Sequence, residues 1–215
     1  MVMEARLRKI IGREEFDYPA LMSVLADYAN PRDKVTSLLR KGVIIRVKKG
    51  LYVFGDDYRK HLFCRELLAN LIYGPSFVSL EYALSYHGLI PERVSTVTSV
   101  TSKRGKRFET PVGSFLYRPT PRPAFHLGMD RVEQGDVSFL IARPERALAD
   151  KLRDDRGGGG GSQQMLATYL FDNLRLDRTG FVDMDAALLE QLGTELGSRK
   201  VALCARLLRR MRSRR

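Results

Sequence analysis

The sequence predicts an α+β protein: a small helical N-terminal unit closed by a β-hairpin, then a larger unit with a small, mainly antiparallel sheet and several helices. Apolar residues recur at i, i+3 and i+4 near the N-terminus and through the last third of the chain, which is the spacing of one helix face. Between those stretches, β-branched and aromatic runs are bounded by Gly-, Pro- and charge-rich turns. Helices and strands are thus segregated, as in α+β architectures. A chain of 215 residues holds one or two domains, and the order of elements favours two, 1–56 and 57–215.

Glu4 to Ile11 places Leu7, Ile10 and Ile11 on one helical face before Gly12. Pro19 to Tyr28 does the same with Leu21, Met22, Val24 and Leu25, started by Asp17 or Tyr18 and followed by the short Tyr28-Ala29-Asn30 turn. Asn30 is the candidate N-cap of the next helix, with Pro31 at its first position, Val35, Leu38 and Leu39 inward and Gly42 as the stop. Arg32, Asp33, Thr36, Ser37 and Arg40 then face outward, with Lys34 and Lys41 at the edges. Val43 to Val47 and Leu51 to Phe54 have strand composition around a Lys48-Lys49-Gly50 turn. Three helices and two strands in this order predict a winged helix-turn-helix.

In such a unit the third helix enters the DNA major groove and the ribbon reaches phosphates. Arg32, Lys34, Thr36, Ser37, Arg40 and Lys41 on the helix, with Arg46, Lys48 and Lys49 on the ribbon, are the expected DNA-binding residues. The plain alternative is an amphipathic helix and a hairpin with solvated lysines.

In the second unit, Tyr58 to Tyr73 predicts a helix ended by Gly74-Pro75, and Ser79 opens another, Leu80 to His87, stopped by Gly88. His87, in a last helical turn, suits the helix dipole and needs no catalytic role. Val94 to Thr101, Ser114 to Tyr117 and Val137 to Ala142 predict strands, separated by the cationic segments Lys103 to Arg107 and Arg118 to Pro123. Pro144 to Arg153, Gln163 to Asn173, Asp183 to Leu192 and Ser198 to Met211 predict helices, with Asp183 as an N-cap and Gly193 as a stop. Gly157 to Gly161 with Ser162 encodes no fold; residues 157–162 read as an engineered Gly/Ser linker in place of a natural loop, or as a natural glycine-rich loop.

The formal charge of +12 and pI near 10.0 favour polyanionic partners. With neither a long apolar run nor a cleavable leader pattern, no membrane association and a cytoplasmic location are expected. Cys64 and Cys204 read as core residues; His61 and Cys64 share a metal-pair spacing, but no second pair accompanies them, so no metal is expected. No cofactor or enzymatic activity is expected either: GxxxxGK[ST], GxSxG and HExxH are absent, and the carboxylates Glu145, Asp150, Asp154 and Asp155 scatter around one helix and its end.

Four passages together resemble the AbiEi family, antitoxins of the type IV AbiE toxin-antitoxin systems: Leu38-Leu39-Arg40-Lys41-Gly42 into Val43-Ile44, Lys49-Gly50-Leu51-Tyr52-Val53, Ser79 to Pro91, and Ala142 to Asp150. The resemblance covers Leu21 to Leu152 well and the final helices in outline. It implies an N-terminal winged helix that represses its own operon and a C-terminal domain that counteracts a nucleotidyltransferase-like toxin, directly or indirectly. Its DNA-contacting positions fall on Arg32, Lys34, Thr36, Ser37, Arg40, Lys48 and Lys49. Inverted-repeat operator DNA is the natural target if two copies bind symmetrically.

Further nucleic-acid or toxin contacts are expected from Lys103, Arg104, Lys106 and Arg107, and from Arg206, Arg209 and Arg210 in a tail, Arg199 to Arg215, that holds no acid. A charged turn and a solvated or partly disordered helix end are the alternatives. Arg143-Pro144-Glu145-Arg146 reads either as a helix start docked on the sheet or as a contact to toxin or DNA. Against the regulator stand a protein-interaction antitoxin that binds its toxin with little DNA preference and an RNA-processing enzyme.

Overall fold

The computed structural model describes residues 2–155, 157 and 160–213; Gly158 and Gly159 of the glycine run and Arg214 and Arg215 of the tail lie outside the described residues. The protein is α+β.

The first elements are α1 (Val2–Ile10), β1 (Glu15–Asp17), α2 (Tyr18–Val24), α3 (Pro31–Arg40), β2 (Ile44–Lys48) and β3 (Leu51–Phe54). Asp17 caps α2 by accepting from the Ala20 N–H at 2.8 Å. The helix stops at Val24, short of the expected Tyr28, because the Leu25 and Tyr28 N–H groups turn back three residues to Met22 and Leu25. Pro31 opens α3, while the Asn30 side chain makes no cap bond. At the other end Gly42 takes φ +67° and donates to Leu39 O, and Val43 donates to Leu38 O. Those two bonds form a Schellman motif, which is why Gly42 stops the helix and turns the chain into β2.

The strand β1, too short to show a period in the sequence, pairs with β3, so the first sheet has the order β1-β3-β2, all antiparallel. Val43, Ile44, Tyr52 and Phe54 pack on α1, α2 and α3, whereas Val47, Leu51 and Val53 belong to the core of the second unit. The hairpin therefore contributes residues to both cores.

The helix expected from Tyr58 begins only at Arg65 (α4, Arg65–Ile72). Buried Glu14 accepts from the Lys60 and His61 N–H groups, both at 3.0 Å, and buried Glu15 accepts from the Cys64 N–H. These carboxylates take donors that a longer helix would have used. Burial pushes the Glu15 carboxyl above its usual range, against the opposing hydrogen bond from Cys64.

The second sheet is larger than expected and mixed, with three antiparallel strand pairs and two parallel ones. Its strands β4 (Ser76–Val78), β5 (Val97–Thr101), β6 (Lys106–Thr110), β7 (Gly113–Pro119), β8 (Met129–Gln134) and β9 (Val137–Ala142) lie in the order β6-β7-β5-β4-β9-β8. The pairs β4/β9 and β5/β7 are parallel. Three of these strands escape the sequence pattern: β4 is short and wholly buried, and β6 and β8 are charged edge strands without an apolar alternation. The cationic turn expected over Lys103 to Arg107 is corrected accordingly, since Lys106 and Arg107 already belong to β6.

Helices α5 (Leu80–Tyr86), α6 (Pro144–Asp154), α7 (Gln163–Thr168) with a π-helical turn at Tyr169–Asn173, α8 (Arg178–Asp183), α9 (Ala186–Glu195) and α10 (Arg199–Arg212) complete the unit. Asp183 ends α8 instead of starting the next helix, and Asp185 is the cap of α9, accepting from Ala187 and Leu188. Gly193 lies inside α9, not at its end, where a Cβ would approach the Ala202 backbone of α10 to 2.9 Å; it is a packing glycine. Helix α6 packs on α5 and α9, and α10 packs on α9, α7 and α6.

Candidate nucleic-acid interface

Val35 and Leu38 commit one face of α3 to the first core. Geometry then sets Arg32, Thr36 and Arg40 in a row four residues apart on the opposite face, all exposed, with exposed Lys41 after them. The Thr36 hydroxyl donates to Arg32 O at 3.2 Å, while the Arg32 and Arg40 guanidinium groups hold no partner among the described residues. Ser37 is half-buried, and half-buried Lys34 lies over the Tyr28 ring, 5.2 Å from its centroid. Arg40, in the last turn, also suits the helix dipole.

The ribbon differs from its expectation. Arg46 is exposed and lies 5.9 Å from the Tyr52 ring centroid, and Lys49 is exposed at the tip. Lys48 instead turns to α4, donating to Leu71 O at 2.9 Å and Ile72 O at 2.5 Å. It caps the last carbonyls of that helix, so it is not free to meet phosphate as expected. Burial pushes its ammonium below the ordinary lysine range, and the Lys103 charge adds to the effect.

Lys103 is placed similarly, donating to Gly74 O at 2.6 Å with its ammonium 5.6 Å from the Tyr73 ring centroid. Lys106 flanks the same ring at 5.9 Å and the Phe108 ring at 4.9 Å. Arg107 is taken up by Glu109, and Arg104 is exposed. Lys103, Arg104 and Arg122, with Tyr73, Ser102, Gly105 and Pro119, line an open concavity of about 670 Å³ that holds no carboxylate. The sequence marked Arg118 to Pro123 as a cationic segment but gave no reason to set Arg122 beside Arg104.

On α10, Arg209 pairs with Glu190 of α9, and Arg212 caps α8 by donating to Val182 O at 2.8 Å and Met184 O at 2.5 Å. Arg206 and Arg210 are exposed without a described partner.

Within the Arg143 to Asp150 segment Arg143 is exposed, while Glu145, Arg146 and Asp150 are buried. Arg146 is 0% exposed and donates to Asp150 at 2.8 Å, Thr120 at 3.0 Å, Leu127 O at 2.7 Å and Ala124 O, with its guanidinium 5.1 Å from the Phe77 centroid. Asp150 accepts in turn from the Ser79 hydroxyl at 2.7 Å, and buried Glu145 accepts from the Asp185 N–H at 2.7 Å. His87 sets Nε2 2.8 Å from Ala142 O, tying the end of α5 to β9.

Another concavity, about 510 Å³, is lined by Glu14, Glu15, Glu66 and Asp136 against Arg13 and Arg65, the wrong balance for a polyanion. Among the described residues, no group of three or more His, Cys, Asp or Glu side chains is arranged to hold a metal ion. The Cys64 sulfur accepts from the Leu67 N–H as the cap of α4, and burial pushes both the Cys64 and Cys204 thiols up to about 12. No described helix is long and apolar enough to cross a membrane.

No family model matches the chain, and no curated protein matches it. Among solved structures, it is similar to the RV2827C protein from Mycobacterium tuberculosis, with 16% identity over 97% of this chain and 79% of that one, at a TM-score of 0.49.

Proposed function

We propose that the protein is a DNA-binding regulator, with α3 as the helix that enters the major groove. The observation that carries this reading is the exposed row Arg32, Thr36 and Arg40, whose two guanidinium groups have no partner among the described residues. A guanidinium free to present two parallel N–H groups suits the O6 and N7 edge of guanine, and a threonine between two such groups suits a thymine methyl or a base-edge acceptor. The order α1-β1-α2-α3-β2-β3, with β1 beside β3, supports the winged-helix reading.

The biological role follows the AbiEi resemblance: an antitoxin that represses its own toxin-antitoxin operon and counteracts a nucleotidyltransferase-like toxin through the second unit. Two passages that carry the resemblance, Ser79 to Pro91 and Ala142 to Asp150, contribute Ser79, Arg146 and Asp150 to a buried network. They support a shared fold, and a shared fold does not by itself assign an activity.

The test is a fluorescence-anisotropy titration on the DNA upstream of the protein's own gene and on a scrambled duplex of equal length. A preference of ~10³ or more for the upstream duplex is expected. Equal affinity for both duplexes would overturn the regulator. The second reading, an antitoxin that grips its toxin with little DNA preference, draws on exposed Arg206 and Arg210 of α10 as a face for an acidic partner. It predicts a complex with the toxin that R206E/R210E abolishes.

A further inference from the structure

The geometry points to a nucleotide site in the second unit: a small hollow at Arg65, Tyr82, Ser85, Tyr86 and Arg93 that takes a nucleoside monophosphate, its base on the tyrosine rings and its phosphate between the arginines. This does not rest on the DNA-binding reading above, because none of these residues belongs to the unit that carries α3.

Of the passage Ser79 to Pro91, Ser79 and His87 are bound within the fold, and that role leaves Tyr82, Ser85 and Tyr86 without an account. They stand at i, i+3 and i+4 on α5 and so share one face of it. With Arg65, Arg93 and Val94 they line a hollow of about 290 Å³ in which no carboxylate takes part. Tyr86 is 41% exposed, and edge-on contacts to the His87 and Phe139 rings, at 5.4 and 5.9 Å between centroids, hold it in position. Tyr82 is half-buried and is fixed by donating its hydroxyl to Glu66 at 2.7 Å.

Arg65 is costly where it stands. It lies in the first turn of α4, where the helix dipole opposes a cation, and it is half-buried with no paired carboxylate among the described residues. Its hydrogen-bond acceptor is neutral, the Ser95 carbonyl, and its Nε is enclosed without a partner. A charge in that setting lacks an anion. Arg93 supplies a second guanidinium, exposed and without a partner among the described residues. Ser85 anchors it there by donating to Glu92 O at 2.7 Å, while the Glu92 carboxylate turns to Arg175 at 3.4 Å. Glu66 is occupied by the Tyr82 hydroxyl and the Cys64 thiol and does not line the hollow. Two guanidinium groups can grip one phosphate, and tyrosine faces accept any base by stacking. At about 290 Å³ the hollow stands at the small end of ligand pockets, which suits one nucleotide and not a duplex.

The test is isothermal titration calorimetry on the full chain with AMP, adenosine and inorganic phosphate. AMP is expected to fill a single site per chain and to bind at least roughly tenfold more tightly than adenosine or phosphate, since each of those lacks one half of the contact. R93A and Y86A should each weaken AMP by roughly tenfold, and Y86F should retain it. Both side chains are exposed, so the melting temperature should not move. R32A/R40A, on α3, should leave AMP binding untouched, which separates this site from the general attraction of a basic chain for anions. Absence of saturable AMP binding would overturn the site. Phosphate alone binding as tightly as AMP would do the same, as would R93A and Y86A that bind AMP like the wild type. Failure of the upstream-DNA titration would defeat the regulator and leave the AMP result standing.

Discussion

Arg146 of α6 and Arg40 of α3 sit in helices of similar length, each opened by a proline at its first turn, and each belongs to a short cationic passage. Arg146 lies in a first turn, where the helix dipole opposes a cation, and is wholly enclosed by Asp150, Thr120 and two carbonyls. Arg40 lies in a last turn, where the dipole favours it, and is exposed without a partner among the described residues. The more conspicuous motif is consumed in holding the second unit together, and the plainer helix keeps its guanidinium groups available. Availability, more than motif strength, separates a candidate reader from a structural part.

The sharpest way to break this contrast is Arg146→Ala. It leaves Asp150 buried without its partner and should cost about 3–5 kcal/mol in a denaturant titration. A loss below about 1 kcal/mol would mean that the network is incidental.

On the other side, Arg40→Ala should alter stability by no more than about 0.5 kcal/mol. It should also remove about 1–3 kcal/mol of discrimination at one base position, read by competition with singly substituted duplexes. Equal loss on every sequence would make Arg40 a phosphate contact only.

Lys48 tests the middle of the scale. Lys48→Met removes two bonds to the end of α4 and should destabilise by about 1–2 kcal/mol while leaving the DNA salt slope unchanged. Lys49→Ala should do the reverse, lowering the slope by about 0.9 at constant stability.

The smallest effect concerns Glu15, whose folded pKa is raised by burial. A raised carboxyl stabilises the fold below its unfolded pKa and loses that contribution as pH rises through the folded value. Glu15→Gln keeps an acceptor for the Cys64 N–H and has no charge to bury, so it should gain on the wild type as pH rises above 4.5. Parallel stability curves for the two proteins across that range would contradict this.

How far the sequence carried these distinctions depended on how local their causes were. Helix α3 was legible because Pro31, the Val35 and Leu38 stripe and Gly42 all act within a dozen residues. Asp150 stands four residues from Arg146, but Ser79, Thr120, Ala124 and Leu127 reach the network from distant elements. Lys48 misled for the same reason: its acceptors are more than twenty residues away, on a helix that starts seven residues later than its apolar pattern suggested. The edge strands β6 and β8 carry charges where a period-2 pattern would be sought, because an edge must discourage further pairing.

The hairpin, with Tyr52 and Phe54 on one core and Val47, Leu51 and Val53 on the other, bears on how the molecule can be taken apart. A fragment ending at residue 56 would carry a bare apolar strand into water, a surface that invites aggregation. Residues 1–56 are therefore not a graftable cassette, and the whole chain should melt in one transition because neither half can release the strand without opening the other.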